Sequence, residues 1–327
     1  MNSVTRSGSS LISLLGRDPT TYIPHMLHAE TRAYPETNCY TDVIVELLHA
    51  CGYEPLAAMG FTVRVDFEGD QWTFFKPPPE DLEELFGLDV HEMQPYRPLP
   101  DQAAEQLEQR RTLLVELDSF YLPDTAATTY RREHVKSSAA IESIDRDRRV
   151  LRYFHNRSLY ELEGDDYIGV FRLDGRLPAD VLPPYTELVR FDARPPVAGA
   201  DLREAARELL SRHLGRRPAA NPFERFGEAL VRALPVLVDA DAPQYHAYAF
   251  ATVRMAGAAF EVCASHVDWL LGDRGGRAVE ELLSIPADCK VLSLKLARRR
   301  AFDPEPVLAR LAAAWERAQL ALDSVAG

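Results

Sequence analysis

The stretch TNCYTDVIVELLHACGY, Thr37 to Tyr53, carries two of the four cysteines of the chain on one helical pattern. A helix start presents unpaired N–H groups and about half a positive charge. A thiol in the first turn there has its thiolate stabilised, and Thr37 or Asn38 is placed to cap the helix in front of Cys39. Backbone N–H groups at the same point can hold an oxyanion. Cys39 is therefore a candidate nucleophile, packing as a small hydrophobe being the competing use. Cys51 falls on the apolar face at the other end, where the dipole disfavours a thiolate, and reads as core.

A cysteine nucleophile needs an imidazole base and a group to orient it, remote in sequence and close in the fold. His49 lies ten residues along the same helix and cannot reach Cys39; His25 and His28 are its other sequence neighbours. His213, His246 and His266 belong to a helical half and read as core or surface. In YRREHVKSSAAIESID, His134 stands where a loop enters a strand and Asp145 ends that run. His155-Asn156 ends the next strand, and an antiparallel turn near Asp147 returns Asn156 toward the His134 end. Asp145 and Asn156 are both candidate orienters, topology leaning to Asn156.

Two carboxylate sets add to this. Asp66, Glu68 and Asp70 in DFEGDQW alternate and would share one face of a strand, able to grip an ammonium group or a metal, or simply to solvate a hairpin tip. Asp118 ends the apolar run LLVELDSF and needs a partner, either Arg131 or Arg132 or a substrate amine. No His, Cys or Glu set has zinc spacing and no glycine-rich phosphate loop is present, so no cofactor is expected.

The elements that position these groups follow from periodicity. The chain has 327 residues, 46% hydrophobic and 27% charged, with formal net charge −13. That suits a core-forming protein and argues against nucleic acid or an anionic membrane as partner. Widely spaced cysteines suit a reducing cytoplasm, and neither a signal peptide nor a membrane span is expected. DVIVELLHACG, PPEDLEELFGL and DQAAEQLEQRR read as helices; FTVRVDF, WTFF, TLLVELDSF, HVKSSAAIESID, RRVLRYFHN and YIGVFRL read as strands. A proline-rich stretch, RLPADVLPPYTELVRFDARPPVAGAD, reads as a linker, and five helical runs follow it. The expectation is an α+β domain over 1–185 with an antiparallel sheet, then an α-helical domain over 186–327. In the helical half, LGRRP and KLARRRAF supply Arg216, Arg217, Lys295 and Arg298 to Arg300, either a docking patch for an acidic partner or solvated helix ends.

The order of cysteine at a helix start, histidine at a strand start and then Asp or Asn resembles papain-like cysteine enzymes. More specifically, it looks like the branch of bacteriocin-processing peptidases and the N-terminal domain of butirosin-type aminoacyltransferases. The segments NCYTDVIVELLHACGYEPLAAMGFTVRVDFEGDQWTFFK, LVELDSFYLPDTAATTYRREHVK and YFHN resemble more closely a bacterial family known only as domain of unknown function 1839. The resemblance implies a papain-like fold with Cys39 as nucleophile and His134 as base. In the peptidase branch an aspartate before proline follows the histidine strand; here Asp145 precedes Arg146. The oxyanion glutamine usual before the cysteine is absent, leaving Asn38, Thr37, Tyr34 or backbone N–H groups. That favours acyl transfer from a thioester over peptide cleavage. The implied activity passes an aminoacyl or peptidyl group from a phosphopantetheine-bound carrier protein to a small amine. A cysteine peptidase or thioester hydrolase is the first alternative, and a lapsed papain-like binding module for a carrier protein or synthetase the second.

Overall fold

The computed structural model describes residues 11–175 and 183–326. The first ten residues, on which the reading of the N-terminus partly rests, and residues 176–182 of the expected linker lie outside them. The helices are α1 (Cys39–Ala50), α2 (Pro79–Phe86), α3 (Leu99–Glu108), α4 (Asp165–Val170), α5 (Gly199–Leu214), α6 (Pro222–Asp239), α7 (Ala242–Ala249), α8 (Met255–Leu271), α9 (Gly276–Ala297) and α10 (Glu305–Ala326). The strands are β1 (Ile12–Ser13), β2 (Asp89–Met93), β3 (Thr112–Asp118), β4 (Lys136–Asp145), β5 (Val150–His155), β6 (Ser158–Glu163) and β7 (Thr186–Arg190). The fold is α+β, with an antiparallel sheet and a C-terminal helical region. It divides into two compact units that interleave in sequence.

The first unit comprises Met1–His25, Asp42–Tyr53 and Phe86–Pro195. Its sheet runs β2-β7-β3-β4-β5-β6, with β1 paired to β4, and every pairing is antiparallel. Leu113, Val115, Leu117, Ala139, Ile141, Ile144, Leu151, Tyr153 and Phe154 are all buried, so both faces of the central strands are covered. Helix α3 packs on β1, β3 and β4.

Strand β4 carries one extra residue. Its pairing with β5 shifts between Ile141 and Ser143, so Glu142 is bulged, and below the shift His155 faces Ala139. The Glu142 carbonyl accepts Leu14 N–H at 2.7 Å. Its side chain accepts Leu15 N–H at 3.2 Å and Arg17 N–H at 3.0 Å, tying the chain beside β1 to the sheet.

The second unit comprises Met26–Thr41, Glu54–Leu85 and Pro196–Gly327. Helix α8 packs on α9, α9 on α10, and α10 on α6. Asn221 caps α6 by accepting Phe223 N–H at 3.0 Å, with Pro222 at the first helical position, where its missing N–H costs nothing. Trp72, Phe67, Phe223, Phe226 and Phe260 form one aromatic cluster in this unit. A single bridge, Phe67 with Trp72, is what remains of the expected hairpin.

Several expected elements change type. FTVRVDF is no strand: Pro55–Arg64 is 3₁₀ helix, capped by Glu54, which accepts Leu56 N–H at 3.1 Å. Every residue of it but Arg64 is buried, so the alternation that suggested a strand with one wet face marks no such face. YIGVFRL contributes to α4, not to a strand. Gly164 at φ 60° turns the chain, and Asp165 and Asp166 open the helix, as its dipole prefers. TELVR, inside the expected linker, is β7, between β2 and β3. β2 and β6 are additional to the expected strands.

Candidate active site

In the first unit, His134 stands two residues before β4 and Asp118 ends β3, opposite Lys136. The His134 Nδ1 lies 2.6 Å from Asp118 Oδ2. A carboxylate only accepts, so Nδ1 carries the proton; in the neutral ring Nε2 then holds the lone pair. The other oxygen, Asp118 Oδ1, accepts Phe120 N–H at 3.1 Å and caps the turn Ser119–Tyr121. The Phe120 ring stacks on the imidazole, centroids 4.4 Å apart and planes 13° apart. The imidazole is thus held at one edge and one face, while its side chain is 66% exposed. Chemically, this is an imidazole with fixed tautomer and fixed plane, whose other nitrogen can accept a proton.

Asp118 thus does other work than expected: its partner is neither Arg131 nor Arg132. Arg131 pairs with Asp166 at 2.5 Å, and Arg132 Nη1 donates to the Ala127 carbonyl at 3.3 Å. Nor does either expected orienter hold His134 through Nδ1. Asp145 ends β4, roughly 30 Å of strand away, and accepts Arg148 N–H at 2.9 Å within the β4–β5 turn. Asn156 takes the left-handed conformation, φ 46°, in the β5–β6 turn, a conformation asparagine tolerates. The signal for Asp118 was a carboxylate at the end of an apolar strand; its partner sat sixteen residues on, across a loop whose course the sequence does not reveal.

In the second unit, Cys39 is the first residue of α1 and half-buried. Asn38 is the cap: its Oδ1 accepts Thr41 N–H at 3.0 Å, and its Nδ2 donates to the Phe75 carbonyl at 2.9 Å. The Thr41 hydroxyl donates to the same carbonyl at 2.9 Å. The approach to the helix is clamped. Arg254 donates to the carbonyls of Thr37 (2.6 Å) and Glu36 (2.9 Å), and Glu261 accepts the N–H groups of Ala33 and Tyr34, both at 2.8 Å. Arg254 ends a π-helical turn, Phe250–Arg254, a local irregularity that often accompanies function. Of the expected oxyanion donors, Asn38 and Thr37 are buried and help hold the helix start. Tyr34 is buried against Gly257, with the Lys290 ammonium 4.1 Å from its ring centroid. Burial pushes the Tyr34 hydroxyl well above its ordinary pKa, and it does not ionise.

The other thiols are inert by environment. Burial pushes Cys51 and Cys263 each up to about 12, and Cys289 higher still. The alternating acids do not converge. Asp66 pairs with Arg225, Glu68 accepts the Thr73 hydroxyl at 2.9 Å, and Asp70 is exposed. Among the described residues no group of three or more His, Cys, Asp or Glu is placed to hold a metal ion. Within the basic patch, Arg217 forms two bonds to Asp323, at 2.7 and 2.8 Å, and Lys295 lies 5.4 Å from the Phe302 ring. Among the described residues no helix is long and apolar enough to cross a membrane.

No curated protein sequence matches the chain. Two family models do: the DUF1839 N-terminal domain over residues 23–191 and the DUF1839 C-terminal domain over residues 199–324. Together they span most of its length, and the chain belongs to the DUF1839 family.

Proposed function

We propose that this chain is a papain-like cysteine acyltransferase, with Cys39 as nucleophile and His134 as base. The observation that carries the reading is the 2.6 Å bond from His134 to Asp118, which directs Nε2 outward as an acceptor. A second support is the position of Cys39 at the start of a capped helix, where a thiolate is stabilised.

In this scheme the Cys39 thiol gives its proton to His134 Nε2 and its sulfur attacks the carbonyl of an aminoacyl or peptidyl thioester. The carbon–sulfur bond to the phosphopantetheine of a carrier protein breaks, and that thiolate takes the proton from His134. The acyl group then rests on Cys39 as a thioester. An amine attacks it, forming an amide and returning the proton to sulfur by way of the imidazole. Thioester exchange and aminolysis need no ATP. Water as the second acceptor would make the same site a thioester hydrolase.

Intact-mass spectrometry after incubation with a panel of aminoacyl carrier proteins tests this. The expected result is one acyl adduct on wild-type protein, absent in Cys39→Ala and formed about 10²–10⁴-fold more slowly in His134→Ala. Iodoacetamide at neutral pH should label Cys39 much faster than Cys51. Equal slow labelling of the two, or an adduct that persists in Cys39→Ala, would overturn the reading.

A further inference from the structure

A second imidazole–carboxylate pair lies on the opposite side of the same strand end. Cross-strand partners share a face, and alternate residues of a strand share it too. Asp118 pairs with Lys136, while Ser137 pairs with Leu117, so Asp118 and Ser137 point to opposite faces of the sheet. His155 pairs with Ala139 and therefore joins the Ser137 face. There His155 Nε2 lies 2.6 Å from the Ser137 hydroxyl, and Nδ1 lies 2.5 Å from Asp124 Oδ2. Asp124 comes from the turn Pro123–Thr125, which lies over this face, and its other oxygen accepts the Tyr153 hydroxyl at 2.6 Å.

The proton positions follow from chemistry. Asp124 can only accept, so Nδ1 carries the hydrogen; in the neutral ring Nε2 is an acceptor and the serine hydroxyl donates to it. Both Asp124 oxygens are bonded and the Tyr153 hydroxyl stays protonated, its pKa raised by burial and by the neighbouring carboxylate. Exposure rises only at the last group of the line. The Asp124 and His155 side chains are 2% and 1% exposed, while Ser137 is half-buried. A clamp for the turn would need only Asp124, Tyr153 and His155. Ser137 extends the line toward solvent, with its oxygen lone pairs not used by the imidazole.

We propose that Ser137, His155 and Asp124 form a serine nucleophile relay, a reactive centre separate from Cys39. Its substrate class is a small activated acyl donor, an ester or thioester. The Ser137 Oγ–H proton passes to His155 Nε2 as Oγ bonds to the acyl carbon. The carbon–oxygen or carbon–sulfur bond to the leaving group breaks, and the leaving group takes the proton from Nε2. Water then repeats the sequence, releasing the acid and restoring the hydroxyl. Asp124 is a positioning residue: it fixes the tautomer and carries no proton away.

The proposal stands independently of the Cys39 chemistry, and the test separates them. Full-length protein is incubated with a fluorophosphonate probe and analysed by intact mass and peptide mapping. The expected result is one phosphonyl adduct on Ser137, retained in Cys39→Ala and lost in Ser137→Ala, a small change at a half-buried site. Asp124→Asn should slow the labelling by about 10³–10⁴-fold. The absence of any adduct on folded wild-type protein, or an adduct that survives in Ser137→Ala, overturns the proposal.

Discussion

The His134 side chain is exposed, yet its imidazole is held in two ways. Asp118 fixes the proton on one nitrogen and Phe120 fixes the plane. Asp118→Asn keeps the size of the group but weakens the preference for the Nδ1–H tautomer. In the proposed acyl transfer that variant should form acyl-enzyme about 10²–10⁴-fold more slowly, as read by intact mass over time. The same residue type serves a different end at position 266. His266 is fully buried, and its Nδ1 donates to the Leu56 carbonyl at 2.7 Å. Both histidines are the same letter in the sequence; only their surroundings separate an exposed, oriented imidazole from a packing group.

At the scale of elements, the start of α1 is made by a cap that the sequence announces and a partner that it does not. Asn38 before a helical run is a recognisable cap. Its donation to the Phe75 carbonyl is visible only in the fold. Asn38→Ala should therefore cost about 1–3 kcal/mol, more than a cap alone, and Asn38→Asp should also destabilise, since the carboxylate keeps the Thr41 N–H but has no N–H for the Phe75 carbonyl. Urea unfolding of the three proteins measures this. Gly87 ends α2 at φ 69°, and a Cβ there would stand 2.0 Å from the Arg194 carbonyl oxygen. Gly87→Ala should lower stability by about 2–4 kcal/mol, seen as a fall in Tm. The β4 bulge belongs to this scale as well. An unbroken register continued from Asp145 and Val150 would set His155 against Ala140 rather than Ala139, on the face away from Ser137. One extra residue thus decides which hydroxyl the imidazole meets.

At the scale of the whole molecule, buried ionisable groups tie stability to pH. Burial, the larger effect, pushes His266 down to about 4 from an ordinary 6.5, with the Leu56 carbonyl opposing and His213 adding a little. Between those values the unfolded chain binds a proton that the native chain does not. Stability is therefore present above pH 6.5 and is lost as pH falls toward 4, by about 3 kcal/mol from this group. Below pH 4 this group takes away no more. His266→Gln should flatten that limb, whatever its effect at neutral pH, in urea midpoints measured from pH 7 to 4. Taken by itself, the sequence determined the α+β class, the helical C-terminal region, the core strands β3, β4 and β5, and the helix opening at Cys39, because these rest on local periodicity and capping. It misread Pro55–Arg64 and passed over β7 among prolines, because burial on nearly every side removes the contrast that periodicity needs, and it misread α4 because six residues are too few to display a helical period. Only the tertiary structure decided that Asp118 holds His134 and that Ser137, His155 and Asp124 align. Those meetings depend on the course of the 119–135 loop and on a one-residue bulge, both set by long-range packing.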